Sequence, residues 1–346
     1  MLNIIKKRLD QELHAFIASI EKTYSLRRIS PLLFESIKEF VLRDGKRIRP
    51  ILLIVGYRGY AQRPSRHYVR SALALELLHD FLLVHDDIVD KSPTRRGKPT
   101  MHVGLNRHLA KHNNLKFSGE DLSIIIGDVM YAIAIDAFLS IQEKPDRKER
   151  ALRNFIGAAI LTGGGEFIEL LSGIKPLRQI QKSDIYNIYD YKTAHYTFAC
   201  PLSTGAILAG ARKDEINKLY NYGMNLGRAF QIKDDILGVF GDEKQIGKST
   251  LSDLQEAKKT ILIWHAFHNG GPAIKQLIQK VFSKKRLTRN DLTMMQNALR
   301  QTGALDFARK EIHRLSSKAQ DIIHSSHIKT RYKKFLIDYC RRLLSL

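Results

Sequence analysis

The sequence predicts an all-α protein, a large helical bundle, and three observations carry that reading. Apolar residues recur at helical spacing through most of the chain, and the alternation that marks strands is hard to find. Punctuation falls where helices should end, at Gly45, Ser92-Pro93, Gly173, Gly241 and Gly270-Gly271. With 346 residues, 44% of them hydrophobic and only 9 prolines, the chain can bury a sizeable core. We expect one domain over 1–346, with 270–346 as peripheral C-terminal helices.

The elements follow in order. The opening "MLNIIKKRLDQELHAFIASIEKTY" mixes charged and apolar residues at helical spacing and lacks the uninterrupted apolar stretch of a signal peptide. Next comes "SLRRISPLLFESIKEFVLRDG", read as one helix that stops at Gly45. "RSALALELLHDFLLVHDDIVD" runs to the Ser92-Pro93 break, "DLSIIIGDVMYAIAIDAFLSIQE" follows, and "ERALRNFIGAAILTGGGEFIELLSG" ends at Gly173. "IYNIYDYKTAHYTFACPLSTGAILAGA" and "EINKLYNYGMNLGRAFQIKDDILGVF" complete the set, the last closing at Gly241. Several are apolar nearly all round, which marks them as central. From about Pro272 the chain turns more basic, with "SKKRLTRNDL" as a solvated connector between amphipathic helices.

Composition narrows the function. Lys plus Arg number 57 against 35 for Asp plus Glu, a net charge of +22, so polyanions are attracted: nucleic acid, an acidic membrane surface or phosphorylated small molecules. No segment reads as the roughly 20 consecutive apolar residues of a membrane span. Cys200 and Cys340 show neither metal spacing nor a disulfide framework, which fits a reducing cytosol and a cytoplasmic location.

The chemistry is concentrated in "LVHDDIVDKSPTRRGKPTMH". On a helix Asp86 and Asp90 share a face one turn apart, while Asp87 lies about 100° around. Paired carboxylates at the end of an apolar helix suit Mg²⁺, which takes one or two protein carboxylates and completes its octahedron with water and phosphate oxygens. A second acidic pair, Asp234 and Asp235, follows the apolar "GMNLGRAFQI"; Gly238 stands where a third carboxylate would, so this cluster is one ligand poorer. Cations flank both: Arg95 and Arg96, Lys46 and Arg49 in "DGKRIRP", Lys192, Lys248 and Lys258. Arginine forks match phosphate oxygens and lysine adds a point charge, so metals plus these cations describe a diphosphate clamp.

These residues carry a resemblance. In order, "GKRIRP", "HDDIVDKSPTRRGKPT", "YKTA", "FQIKDDILGVFGDE", "GKST" and "DLQEAKK" resemble the motifs of the trans-isoprenyl diphosphate synthases, the polyprenyl synthetase family. The resemblance implies an isoprenoid synthase helical bundle around a deep central cavity, with the apolar run walling a hydrocarbon tunnel and the charge at its end holding a diphosphate. It implies a homodimer, isopentenyl diphosphate and allylic diphosphates as substrates rather than nucleic acid, and three Mg²⁺ per site. Position by position, it makes Asp86, Asp90 and Asp234 metal ligands. Arg95, Lys192, Lys248 and Lys258 would bind the allylic diphosphate, and Lys46, Arg49, His79 and Arg96 the isopentenyl diphosphate. Lys192, Thr193 and Gln231 would lie at the reacting carbon. His85 is read as a packed or orienting residue. The family often has GGQ where this chain has Gly164-Gly165-Glu166, and here Glu166 or Glu169 is expected to orient neighbouring cations.

A terpene cyclase would also use paired aspartates and Mg²⁺ but has no need of the basic set Lys46, Arg49 and Arg96; a squalene-type head-to-head synthase is disfavoured for the same reason. A non-catalytic partner subunit is an alternative in which such motifs usually decay. Phe81 lies about 7.5 Å deeper along the helix than Asp86 and about 140° around from it, so it reads either as the floor of the tunnel, which would set chain length, or as a packed core side chain. An aromatic there, followed by Leu82, resembles archaeal-type geranylgeranyl diphosphate synthases. The expected product is C20, with farnesyl or longer products as alternatives.

Overall fold

The computed structural model describes residues 1–242 and 250–345. Helices account for nearly all of its regular structure; among the described residues the only sheet is a pair of two-residue antiparallel strands, Thr94–Arg95 and Lys98–Pro99. Two compact units are distinguished: Met1–Phe155 with Thr204–Gly210, and Ile156–Ser203 with Ala211–Leu346.

In the first unit the helix Tyr68–Val89 is central, packed against Gly119–Leu139, Ile48–Tyr60 and Leu2–Tyr24. Through residues 71–78 it has no single apolar stripe because it is enclosed on all sides, with Leu73, Ala74, Leu75, Leu77 and Leu78 all fully buried. The helix expected over 25–45 is divided at Ser30, which caps Pro31–Val41 by accepting from the Leu33 N–H at 3.3 Å, with Pro31 in the first turn. Ser118 and Asp121 close a reciprocal cap on Gly119–Leu139. The segment Thr204–Gly210 joins this unit at a backbone contact: a Cβ on Gly205 would stand 2.2 Å from the Leu53 carbonyl oxygen, so only glycine fits.

A buried ion pair ties this unit together. Arg47 Nη1 donates to Glu76 at 2.9 Å, Nε to Asp10 at 3.0 Å and Nη2 to the Arg43 carbonyl at 2.8 Å. Arg47 and Glu76 are 29 residues apart, and both are buried.

In the second unit Lys213–Phe240 is central, packed along Ala304–His324 and along an eleven-residue π-helix, Tyr189–Ala199. The single helix expected over 185–211 is therefore three pieces, Lys182–Ile188, the π-helical stretch and Cys200–Leu208. Close approach fixes the π-helix. A Cβ on Gly223 would lie 2.4 Å from Ala199 Cα, and one on Gly227 2.4 Å from Ala194 Cα. The C-terminal helices pack into this unit through one apolar face, with Ala308, Ile312, Leu315, Ala319 and Ile323 of Ala304–His324 all buried.

Two helices, Gly119–Leu139 and Pro145–Ile174, are long and apolar enough to cross a membrane by length and composition, although the sequence suggested no such segment. The first carries Asp128 and Asp136, which the mean hydropathy averages away, and packs on Tyr68–Val89. On the second, Ile160, Phe167, Leu170, Leu171 and Ile174 are exposed.

Removing one partner of a buried ion pair strands the other charge. Glu76→Ala is expected to destabilise the protein by on the order of 3 kcal/mol, read as a lower urea midpoint. An apolar replacement of both partners, Arg47→Met with Glu76→Leu, should recover much of the loss. An unchanged midpoint for Glu76→Ala would show that the pair holds nothing together.

Candidate active site

The Tyr68–Val89 helix delivers the first acidic set at its end. Asp86 and Asp90 are half-buried, and an oxygen of one lies within 4.8 Å of an oxygen of the other. Asp90 caps the helix, its N–H donating to the Asp86 carbonyl at 2.8 Å. Asp87 differs: it is wholly buried, and Arg95 Nε donates to its Oδ1 at 2.6 Å while Arg95 Nη2 stands 3.4 Å from Asp86. Of the three aspartates, Asp87 is the one wholly buried in an ion pair, while Asp86 and Asp90 keep part of their surface exposed. Two oxygen donors at this separation, without sulfur or imidazole, fit a hard divalent cation of the Mg²⁺ type.

The arginines are aimed by the small hairpin. Arg95 pairs with Lys98, and the corner residues Arg96 and Gly97 have φ of 53° and 74°. Positive φ at both corner positions is the type I′ turn that matches strand twist. Glycine adopts it freely; an arginine there costs roughly 1–2 kcal/mol. The "RRG" of the sequence is thus a turn that commits Arg95 to the aspartates and presents Arg96, which is exposed.

Arg96 belongs to a second group. Burial, then the charges of Arg49, Arg96, Arg95 and Arg47, hold the His79 imidazole well below its usual range, so it is neutral at physiological pH. A Cβ on Gly45 would lie 3.2 Å from Arg96 Nη1 and 3.4 Å from Arg47 Nη1, so two guanidinium groups flank that loop. The structure thus brings Arg49, His79 and Arg96 together, with Lys46 exposed in the loop leading into Ile48–Tyr60.

One residue of this cluster escaped the sequence reading. Asp80 has no exposed surface, and neither carboxyl oxygen has a hydrogen-bond partner. Burial, followed by the nearby Glu76, pushes its pKa well up, against the opposing pull of Arg96, Arg47 and Arg49. The available signal was a carboxylate inside an apolar run, four residues after Glu76 and beside His79.

Phe81 is half-buried against two rings, His85 at 4.7 Å and Tyr131 of the Gly119–Leu139 helix at 5.1 Å. His85 Nδ1 meets the Phe81 carbonyl at 3.1 Å, and its ring lies on Gly127, where a Cβ would come 2.3 Å from Cε1. These contacts are those of a packed histidine. Tyr131 was not singled out in the sequence, because its contact with Phe81 crosses between helices.

In the second unit the π-helix carries Lys192 and Thr193. A Cβ on Gly165 would lie 2.6 Å from the Lys192 nitrogen, so the Pro145–Ile174 helix presses directly on that backbone. Lys192 Nζ is held by Glu166 at 2.6 Å and by Glu169. Thr193 Oγ1 donates to Gln231 Oε1 at 2.8 Å, and Gln231 Nε2 donates to Asp235 Oδ1 at 3.1 Å. Asp235 also accepts from the Tyr189 hydroxyl, which accepts from the Ile261 N–H at 2.9 Å. Buried Asp235 is therefore consumed by a network that orients Gln231, while its neighbour Asp234 is half-buried. Lys258 is half-buried and pairs with Glu256 at 2.9 Å. Lys248 lies outside the described residues.

Comparison with known proteins agrees with this chemistry. A family model described as polyprenyl synthetase matches residues 30–299. The geranylgeranyl diphosphate synthase of Saccharolobus solfataricus is 31% identical over 300 residues, 85% of each chain. The geranylfarnesyl diphosphate synthase of Aeropyrum pernix is 32% identical over 284 residues, 81% of this chain and 83% of that one. Among solved structures, geranylgeranyl pyrophosphate synthase from Corynebacterium glutamicum, complexed with isoprenyl diphosphate and magnesium, superposes with a TM-score of 0.88 at 26% identity, covering 100% of this chain and 99% of that one. With its paired aspartates and arginine hairpin in place, the chain belongs to the polyprenyl synthetase family, all-α prenyltransferases that elongate isoprenyl diphosphates.

Proposed function

We propose that this protein condenses isopentenyl diphosphate head to tail with allylic diphosphates and releases geranylgeranyl diphosphate, C20, acting as one polyprenyl synthetase domain over 1–346 in the cytoplasm. The observation that carries the reading is the pair of part-exposed carboxylates, Asp86 and Asp90, beside an aspartate and an arginine already committed to each other.

In this reading Asp86, Asp90 and Asp234 hold Mg²⁺, three ions per site, and the metal supplies the charge that steadies a departing diphosphate. Arg95, Lys192, Lys248 and Lys258 bind the allylic diphosphate. Lys46, Arg49, His79 and Arg96 bind the isopentenyl diphosphate, with neutral His79 as a hydrogen-bond donor. The allylic C–O bond breaks with its electron pair leaving on the diphosphate; the isopentenyl double bond attacks the allylic carbon, and loss of a proton restores an alkene. Thr193 and Gln231, linked at 2.8 Å, line the reacting carbon with Lys192. The protein's contribution is fixed charge and exclusion of water.

The C20 limit rests on Phe81, whose contact with Tyr131 makes an aromatic barrier between two helices. Support for a homodimer comes from the exposed side chains Ile160, Phe167, Leu171 and Ile174, spaced as one stripe along their helix.

Three outcomes follow. Asp86→Ala should lower Mg²⁺-dependent elongation by at least on the order of 10²-fold, as for other deleted transition-state electrostatic groups; wild-type turnover would remove Asp86 from the metal site. Phe81→Ala should extend products beyond C20, sized after dephosphorylation, while the first condensation keeps its rate; an unchanged product length would put the limit elsewhere. Sedimentation should give a dimer that Phe167→Asp with Ile174→Lys converts to monomer, and a monomeric wild type would count against the stripe as an interface.

A further inference from the structure

Asp80 is the buried titratable group for which the reaction has no obvious use. It lies inside the Tyr68–Val89 helix, has no exposed surface, and has no partner for either oxygen. A carboxylate in that position would lose its hydration with no hydrogen bond to replace it. The charges around it come from several elements. Its own helix supplies Glu76 and the neighbouring His79, the loop and helix at Ile48–Tyr60 supply Arg47 and Arg49, and the hairpin supplies Arg96. Asp10 of Leu2–Tyr24 reaches the cluster through Arg47.

These arginines are not equivalent. Arg47 has its donors taken by Asp10, Glu76 and the Arg43 carbonyl, so its charge is largely answered within the protein. Arg49 and Arg96 are the ones assigned above to the isopentenyl diphosphate. Their positive field favours the ionised form of Asp80, and a bound dianion or trianion cancels that field. A carboxylate left beside a bound diphosphate would repel it across a medium far less screening than water.

We propose that Asp80 is a positioning residue that couples a proton to the second substrate: isopentenyl diphosphate binds the form of the enzyme in which this carboxyl is a neutral acid, and binding takes a proton from solvent whenever Asp80 starts ionised. The inference rests on the assignment of Lys46, Arg49, His79 and Arg96 to that substrate. Its sign follows from linkage. The acid form is held more firmly in the complex than in the free protein, so affinity is full below the free-protein pKa. It falls by up to about tenfold per pH unit as pH rises towards the pKa of the complex, and levels off above that.

The experiment is calorimetric titration of isopentenyl diphosphate into the wild-type protein, with chelator and no allylic primer so that nothing turns over. It is run from weakly acidic to alkaline pH in two buffers of different ionisation enthalpy. The wild type is expected to take up more protons than Asp80→Asn, which keeps the shape of the acid but cannot ionise, and to lose affinity with rising pH more steeply. Protons from the substrate's own diphosphate cancel in that difference. In turnover, the same variant should flatten the pH dependence of KM for isopentenyl diphosphate but not that for the primer. Equal proton counts and equal pH slopes in the two proteins would overturn the proposal.

Difference infrared spectroscopy of the wild type needs no variant: within the pH window where affinity falls, binding should add a protonated-carboxyl stretch, and its absence throughout that window would likewise overturn the proposal. Arg96→Ala separates the two readings. If it weakens isopentenyl diphosphate while Asp80→Asn matches wild type, the site stands and the proton coupling falls; if Arg96→Ala leaves that binding unchanged, both fall.

Discussion

The constraint on which the first unit depends is the cost of taking charge out of water. An ion moved into a protein interior loses several kcal/mol unless an opposite charge and hydrogen bonds replace its hydration. The Tyr68–Val89 helix is enclosed on all sides through residues 71–78, and it carries Glu76, Asp80 and Asp87 buried. Each is answered differently. Glu76 has Arg47 at 2.9 Å, Asp87 has Arg95 at 2.6 Å, and Asp80 has neither an ion pair nor a hydrogen bond and is pushed towards the neutral acid. Arg47, which answers Glu76, has left-handed backbone itself, and Arg95, which answers Asp87, stands next to the left-handed corner residue Arg96.

The same economy divides labour within the acidic motifs. In each adjacent pair one aspartate is internal: Asp87 with Arg95, and Asp235 with Tyr189 and Gln231. Their neighbours Asp86 and Asp234 are half-buried. In each pair the buried aspartate is the anchor, and it orients the residues around it: Arg95 beside Asp87, and Gln231 beside Asp235. The second unit adds a steric device to the electrostatic one. Gly165 and Gly227 let two helices touch the π-helix backbone at Lys192 and Ala194, so the lysine's main chain is fixed by contact before its ammonium meets Glu166 and Glu169. A π-helical stretch at such a position is a common feature of functional sites, since the wider turn redirects side chains without breaking the helix.

Some of this was legible in the linear sequence. The helical class, the central position of the all-apolar helices, the placement of Asp86 and Asp90 on one face, and the breaks near Ser92-Pro93 and Gly241 follow from periodicity and local backbone chemistry. Those depend on residues three or four apart. The split at Ser30 was also present, as a serine before a proline, but a helix-period pattern ran through it and prevailed in the reading.

What only the tertiary structure decided is which charges meet. Arg47 and Glu76 are 29 residues apart, Tyr189 and Asp235 are 46, and Thr193 and Gln231 are 38. No spacing rule links such pairs, because they are brought together by the packing of separate helices. The same holds for Asp80, which by sequence is one more acidic residue near a cluster of them. Its isolation is a property of what surrounds it, and the sequence by itself determined the helix and the face while packing determined the solvent it was denied.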